Sequence, residues 1–91
     1  MNSFVEPVRV QARDDGRPVR FVWRDRLYTV RAILEHWVIN VPAYQSEPES
    51  GQLDLEFWRV QAAPGPGTKA GVYELRREAA TGAWTLRRGV G

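Results

Sequence analysis

The chain has 91 residues, 43% of them hydrophobic, with thirteen basic against eleven acidic side chains and a net charge of +2. That length supports one domain with one core, burying roughly 60–65% of the unfolded surface. The absence of cysteine excludes a disulfide framework, a thiolate nucleophile and a cysteine zinc site.

The opening MNSFVEPVRV has neither the basic start nor the apolar run of a signal peptide, and no span approaches eighteen apolar residues. A cytoplasmic location without membrane contact is the simplest expectation. Phe4 to Gln11 is a first strand candidate, with Val8 and Val10 alternating against Arg9 and Gln11. Pro7 cannot donate to a ladder, so this strand lies at an edge or begins after it. Ala12 to Gly16 is turn chemistry, in which Asp side chains cap local amides and Gly admits positive φ.

Arg17 to Trp37 is the stretch around which the other strands are organised. Val19, Phe21 and Trp23 alternate with Arg20, Val22 and Arg24, which gives a strand with one apolar face. Arg24-Asp25-Arg26-Leu27 is a short charged hairpin turn lacking the usual Asn-Gly or Asp-Gly pair. Tyr28 and Val30 resume the alternation until Ala32, Ile33 and Leu34 break it. Two readings compete over 31–39. A β-bulge leaves Ile33, Glu35 and Trp37 on one face and Leu34 and His36 on the other. A helical stripe instead uses Val30, Ile33, Leu34, Trp37 and Val38. The β-branched and aromatic content, and the lack of a cap, favour the bulged strand.

Asn40 to Leu53 carries two prolines, two serines, a glycine and two glutamates, and reads as a mobile loop. Asp54 to Ala62 is a clear strand, with Glu56, Trp58, Val60 and Ala62 on one face and Leu55, Phe57 and Arg59 on the other. Ala63 to Thr68 is a Pro/Gly loop. Ala70 to Arg77 and Ala83 to Arg88 form a last hairpin, with Tyr73, Leu75, Trp84 and Leu86 inward and Gly82 in the left-handed turn position. The expected fold is all-β: a small antiparallel meander of five or six strands forming a barrel or strongly twisted half-barrel.

Arg17-Pro18, Phe21, Trp23, Tyr28-x-Val30 and Leu34-Glu35-His36-Trp37 resemble a small uncharacterised bacterial domain family. Trp58-Arg59-Val60, Gly71-Val72-Tyr73-Glu74-Leu75 and Thr81-Gly82-x-Trp84-x-Leu86 extend the resemblance from Arg17 onward. Such domains occur alone or beside Y-family translesion-polymerase-like proteins, so the resemblance implies a DNA-damage setting and no catalytic residues. Asp25 departs from it where a glycine is usual, as do Phe57-Trp58 where a Tyr-Tyr pair is common.

No residue pattern points to catalysis, a cofactor or a metal. His36 is the only histidine, and Glu35 beside it points to the opposite face of a strand. Glu35 is expected to pair with Arg24 or Arg31. Gly65-x-Gly67 meets no phosphate-loop spacing. The arginines are the functional lead: twelve of the thirteen basic residues are arginine. A GC-rich coding bias accounts for this, and so does selection for bidentate grip on carboxylates or phosphates. The candidate contact residues are Arg20, Arg24, Arg31, Trp37, Trp58, Arg76 and Arg87. They support two functions of different class. One is a non-enzymatic adaptor that docks on a protein in DNA repair, such as a translesion-polymerase-like protein. The alternative is direct single-stranded nucleic-acid binding through an Arg/aromatic face, against which the small net charge counts.

Overall fold

Rings and aliphatics on alternate positions give this chain one face that must leave water, and a sheet with such a face curls to bury it. In the computed structural model, which describes residues 6–42 and 52–88, every regular element is a strand. In chain order these are β1 (Glu6–Pro7), β2 (Arg9–Ala12), β3 (Pro18–Trp23), β4 (Arg26–Pro42), β5 (Gln52–Ala63), β6 (Gly71–Glu78) and β7 (Trp84–Arg88). All pairs are antiparallel, in the order β1-β7-β6-β5-β4-β3-β2. The expected all-β meander is present as a curled half-barrel.

Seven strands stand where five or six were expected, because the first one divides at Val8. β1 pairs with β7 while β2 pairs with β3, so the short segment 6–12 reaches both ends of the sheet order. Val8 donates its amide to the Trp84 carbonyl at 3.2 Å on the way across. Pro7 sits in the terminal strand, where a missing ladder donor is tolerated.

A polar clasp holds this strap. The Glu6 carboxylate accepts from Trp23 Nε1–H at 3.0 Å and from the Arg24 guanidinium at 2.8 Å. The Arg24 hydrogen bond, and then that of Trp23, hold the Glu6 carboxyl below the ordinary carboxylate value. Arg24 and Asp25 form the β3–β4 turn, both left-handed at φ 53° and 64°. That is the backbone of a primed two-residue turn, built without glycine. Arg24 is held in it by Glu6 and by lying 4.6 Å over the Trp23 ring.

The core is aromatic. Phe21 stacks on its cross-strand partner Tyr28 at 5.1 Å, and Tyr73 meets both edge-on at 5.7 and 5.5 Å. Trp23 closes the cluster at 5.8 Å from Tyr28 and Tyr73. Such pairs add about 0.5–1.5 kcal/mol each beyond the area they bury. Val60, Ala62, Leu75 and Leu86 fill the remaining interior. Burial raises the Tyr73 phenol above its usual value. Gly71 makes room for it, since a Cβ there would stand 3.3 Å from the Tyr73 ring.

The segment 31–39 is strand throughout, with a face assignment that differs from expectation. Register shifts between Val30 and Ala32 and again between Ile33 and Glu35, so β4 carries two bulges against β5. Ile33 consequently lies opposite Val60 and His36 opposite Trp58, both on the inner face. Glu35 and Trp37 lie opposite Arg59 and Phe57 on the outer one. The expected loop Asn40–Leu53 is shorter than read: β4 and β5 stay paired out to Pro42 and Gln52. Residues 43–51 of that loop lie outside the described residues, as do residues 1–5.

Leu75 is fully buried at the middle of β6, while Val72 on the same strand is exposed. Leu75→Ala should cost about 2–5 kcal/mol, a melting-temperature fall of roughly 4–8 °C per kcal/mol, whereas Val72→Ala should stay under about 1 kcal/mol. Thermal unfolding followed by circular dichroism separates them. Glu6→Gln tests the clasp by pH. Because the folded carboxyl is depressed, its stabilisation is complete above the unfolded value near 4.5 and disappears as pH falls through the lower folded value. The variant should therefore melt below wild type at pH 7, and the gap should narrow on acidification below pH 4.5.

Candidate functional site

β3 covers the edge of β4 only from Arg26 to Thr29. Pro18 begins β3, and the chain before it turns away through Arg13 to Arg17. That turn is fixed by Arg13 donating its amide to the Arg17 carbonyl at 2.9 Å, and by Asp15 Oδ1 accepting the Arg17 amide at 3.0 Å. β4 runs on for thirteen residues, 30–42, paired among the described residues with β5 alone. Where β3 departs, a groove of about 700 Å³ opens.

One wall of the groove carries Arg13, Arg17 and Pro18, and its floor Val30 and Ile33. Arg31, which donates to the Gly65 carbonyl at 3.2 Å, lines it from the first bulge. None of Arg13, Arg17 or Arg31 pairs with a carboxylate among the described residues, and Asp15 is engaged by the backbone. The far wall is His36 and Trp58. Their rings stack at 3.7 Å and 12°, and His36 Nε2–H donates to Glu56 at 2.7 Å. Arg77 lies 3.8 Å from the other Glu56 oxygen. Trp58 is 5% exposed, and its indole N–H has no partner among the described residues.

The candidate contact residues divide between faces. Arg31 and Trp58 meet in the groove. Trp37, Arg76 and Arg87 lie on the outer face of β4, β6 and β7. There Trp37 stacks on Phe57 at 5.2 Å, with the Arg59 guanidinium 5.7 Å over it. Arg76 stands opposite both Phe57 and Thr85, and Arg87 opposite Glu74. Arg20 is exposed on β3, away from Arg24, which is committed to Glu6 in the turn. The expected pairing of Glu35 with Arg24 or Arg31 is replaced by Arg59 at 2.7 Å, its cross-strand neighbour. Sequence reading passes over Arg13 and Arg17 as contact residues, giving Arg13 only as part of a turn and Arg17 only as the start of the hairpin stretch. Their only signal is two arginines just ahead of a proline-started strand.

Among the described residues, no group of three His, Cys, Asp or Glu side chains could hold a metal ion. The carboxylates of Glu6, Glu35 and Glu56 each face an arginine. Leu34, Val38 and Ile39 are exposed on β4, so the open edge is flanked by apolar side chains.

The chain belongs to the DUF6504 family, a domain of unknown function, which matches residues 1–90. The match takes in the N-terminal strap as well as the segment from Arg17 onward. No curated protein and no solved structure matches the chain.

His36 covers one face of Trp58. His36→Ala should therefore raise acrylamide quenching of tryptophan emission while leaving the circular-dichroism spectrum unchanged. In a Trp58→Phe background the substitution should have no such effect. Equal quenching in both backgrounds would show that the stack is not what shields the indole.

Proposed function

We propose that this DUF6504 domain is a non-enzymatic interaction module that docks other proteins through the long strand β4. The observation that carries the reading is the edge of β4 beyond Thr29, which no described strand pairs and which exposed Leu34, Val38 and Ile39 flank. An open strand edge with apolar neighbours is a template for pairing with another chain unless something covers it. The ionisable groups beside it are already satisfied: Glu35 by Arg59, and His36 by Glu56. Satisfied pairs suit a docking surface better than a catalytic centre, which needs groups free to exchange protons with substrate.

The partner we put forward is a Y-family translesion-polymerase-like protein, on the family resemblance of the Trp and Tyr motifs, which implies a DNA-damage setting; a cytoplasmic location is part of the same proposal. A second reading, single-stranded nucleic acid on the outer face, is favoured by the stacked Trp37–Phe57 pair with Arg59 above it and Arg76 alongside. Bases stack on such rings and guanidinium groups take the phosphates.

Titration of the domain against a translesion-polymerase-like protein from the same organism discriminates these. The module reading expects binding that a Val38→Lys/Ile39→Lys variant weakens by about tenfold or more while the melting temperature holds. The nucleic-acid reading expects affinity for a thymidine oligonucleotide at low salt, falling steeply as salt rises and flattened by Arg59→Gln with Arg76→Gln. Binding of the oligonucleotide and not of the polymerase would reverse the order of the two readings.

A further inference from the structure

We propose that the groove at the β3–β4 divergence receives an extended acidic peptide, added as a further strand along the open edge of β4. This rests on the interaction-module reading and specifies the partner's chemistry. From Glu35 to Pro42 the register of β4 against β5 runs without a shift, so the edge there is regular and can be paired. In an antiparallel ladder alternate residues direct their backbone groups to opposite sides. Half of this stretch therefore offers amides and carbonyls away from β5, in the mixed donor and acceptor pattern that only another backbone matches.

Toward Val30 the two bulges bend β4 and the gap from β3 widens into the groove. A strand laid on the regular edge would lead its end between the two walls. Its inner side chains would meet Val30 and Ile33, and the pleat then demands apolar residues at alternate peptide positions. The remaining positions would face Arg13, Arg17 and Arg31, which lack carboxylate partners among the described residues. Guanidinium forks take carboxylates in paired hydrogen bonds, so those positions call for Glu or Asp.

The same groove suits nucleic acid poorly. Phosphates could meet the arginines, but the ring face of Trp58 that bases would need is covered by His36, and a phosphodiester chain cannot use the alternating edge of β4. The groove volume, about 700 Å³, matches a site that encloses a few side chains and leaves the rest of the peptide on the edge.

Fluorescence anisotropy tests this with three labelled probes: a peptide of alternating glutamate and valine, its lysine–valine counterpart, and a thymidine oligonucleotide. The acidic peptide should bind about tenfold or more tighter than the basic one, and Arg13→Glu with Arg17→Glu should remove that preference. N-methylation of the edge-facing amides should abolish binding, and amide exchange along 35–41 should slow when peptide is present. Because both arginines are exposed turn residues, an unchanged melting temperature certifies the variant, and Arg13→Gln alone should give a partial loss. Equal binding of the two peptides, indifference to N-methylation, or oligonucleotide binding with the same arginine dependence would each overturn the proposal. If it falls while the polymerase-like partner still responds to Val38→Lys/Ile39→Lys, the module reading survives without the groove. Loss of both responses removes the two together.

Discussion

Everything in this domain depends on four rings that have to share one side of a sheet. Phe21, Trp23, Tyr28 and Tyr73 come from three strands, and their edge and stacked contacts close only if those strands wrap round one another. A flat sheet of this size would leave each ring half wet, at a loss of about 25 cal/mol for every Å² of apolar surface left exposed. Curling solves the burial and creates a second difficulty, because a curled sheet still has two edges. The segment 6–12 answers it by lying on β7 with one half and on β3 with the other. The Glu6 carboxylate, bonded to Trp23 and Arg24, ties that segment to the cluster it protects.

Closure at one end is also what leaves the other end open. β3 is six residues long and β4 seventeen, so a strap matched to β3 cannot follow β4 along its length. The unmatched part is the edge and groove on which the functional reading depends. Two bulges near the divergence are the sort of device by which proteins blunt an edge. Beyond them, however, the pairing with β5 is regular and the exposed side chains include Val38 and Ile39. Among the described residues the edge is thus bent at its root and regular but unpaired beyond it.

Much of the fold was legible because alternation survives where strands pair without interruption. Val19, Phe21 and Trp23 declare β3, Trp58, Val60 and Ala62 declare β5, and Tyr73, Leu75 and Leu86 declare the last hairpin. The inner faces of all three are buried as read, save Val19 and Trp84, which are partly buried. The bulges hid the rest. At Arg31 and Leu34 the two-residue period slips twice, so Ile33 returns to the face of His36, which a single slip does not allow. Prolines and serines made 40–53 look irregular throughout, but a two-stranded ladder tolerates proline at its end, and Pro42 occupies that position. The groove was illegible for a different reason. Arg13 and Arg17 approach Arg31 only through the pairing of β2 with β3 and of β3 with β4, and no local pattern encodes that combination.

The same point decides how net charge should be weighed. A formal +2 counts against a dedicated anion-binding protein if charges are averaged over the surface. They are not averaged here. Glu6, Glu35 and Glu56 face Arg24, Arg59 and the His36–Arg77 pair, so a quota of acid and base cancels locally in contacts that hold strands together. Arginines outside those pairs are not cancelled in this way, and three of them line one groove against a single carboxylate, Asp15. On the proposed reading, a carboxylate entering there would meet guanidinium groups that have no carboxylate partner among the described residues, beside an apolar floor where lower effective dielectric strengthens each contact. The total charge of the chain therefore says little about the local field, which depends on which cations the ion pairs leave over.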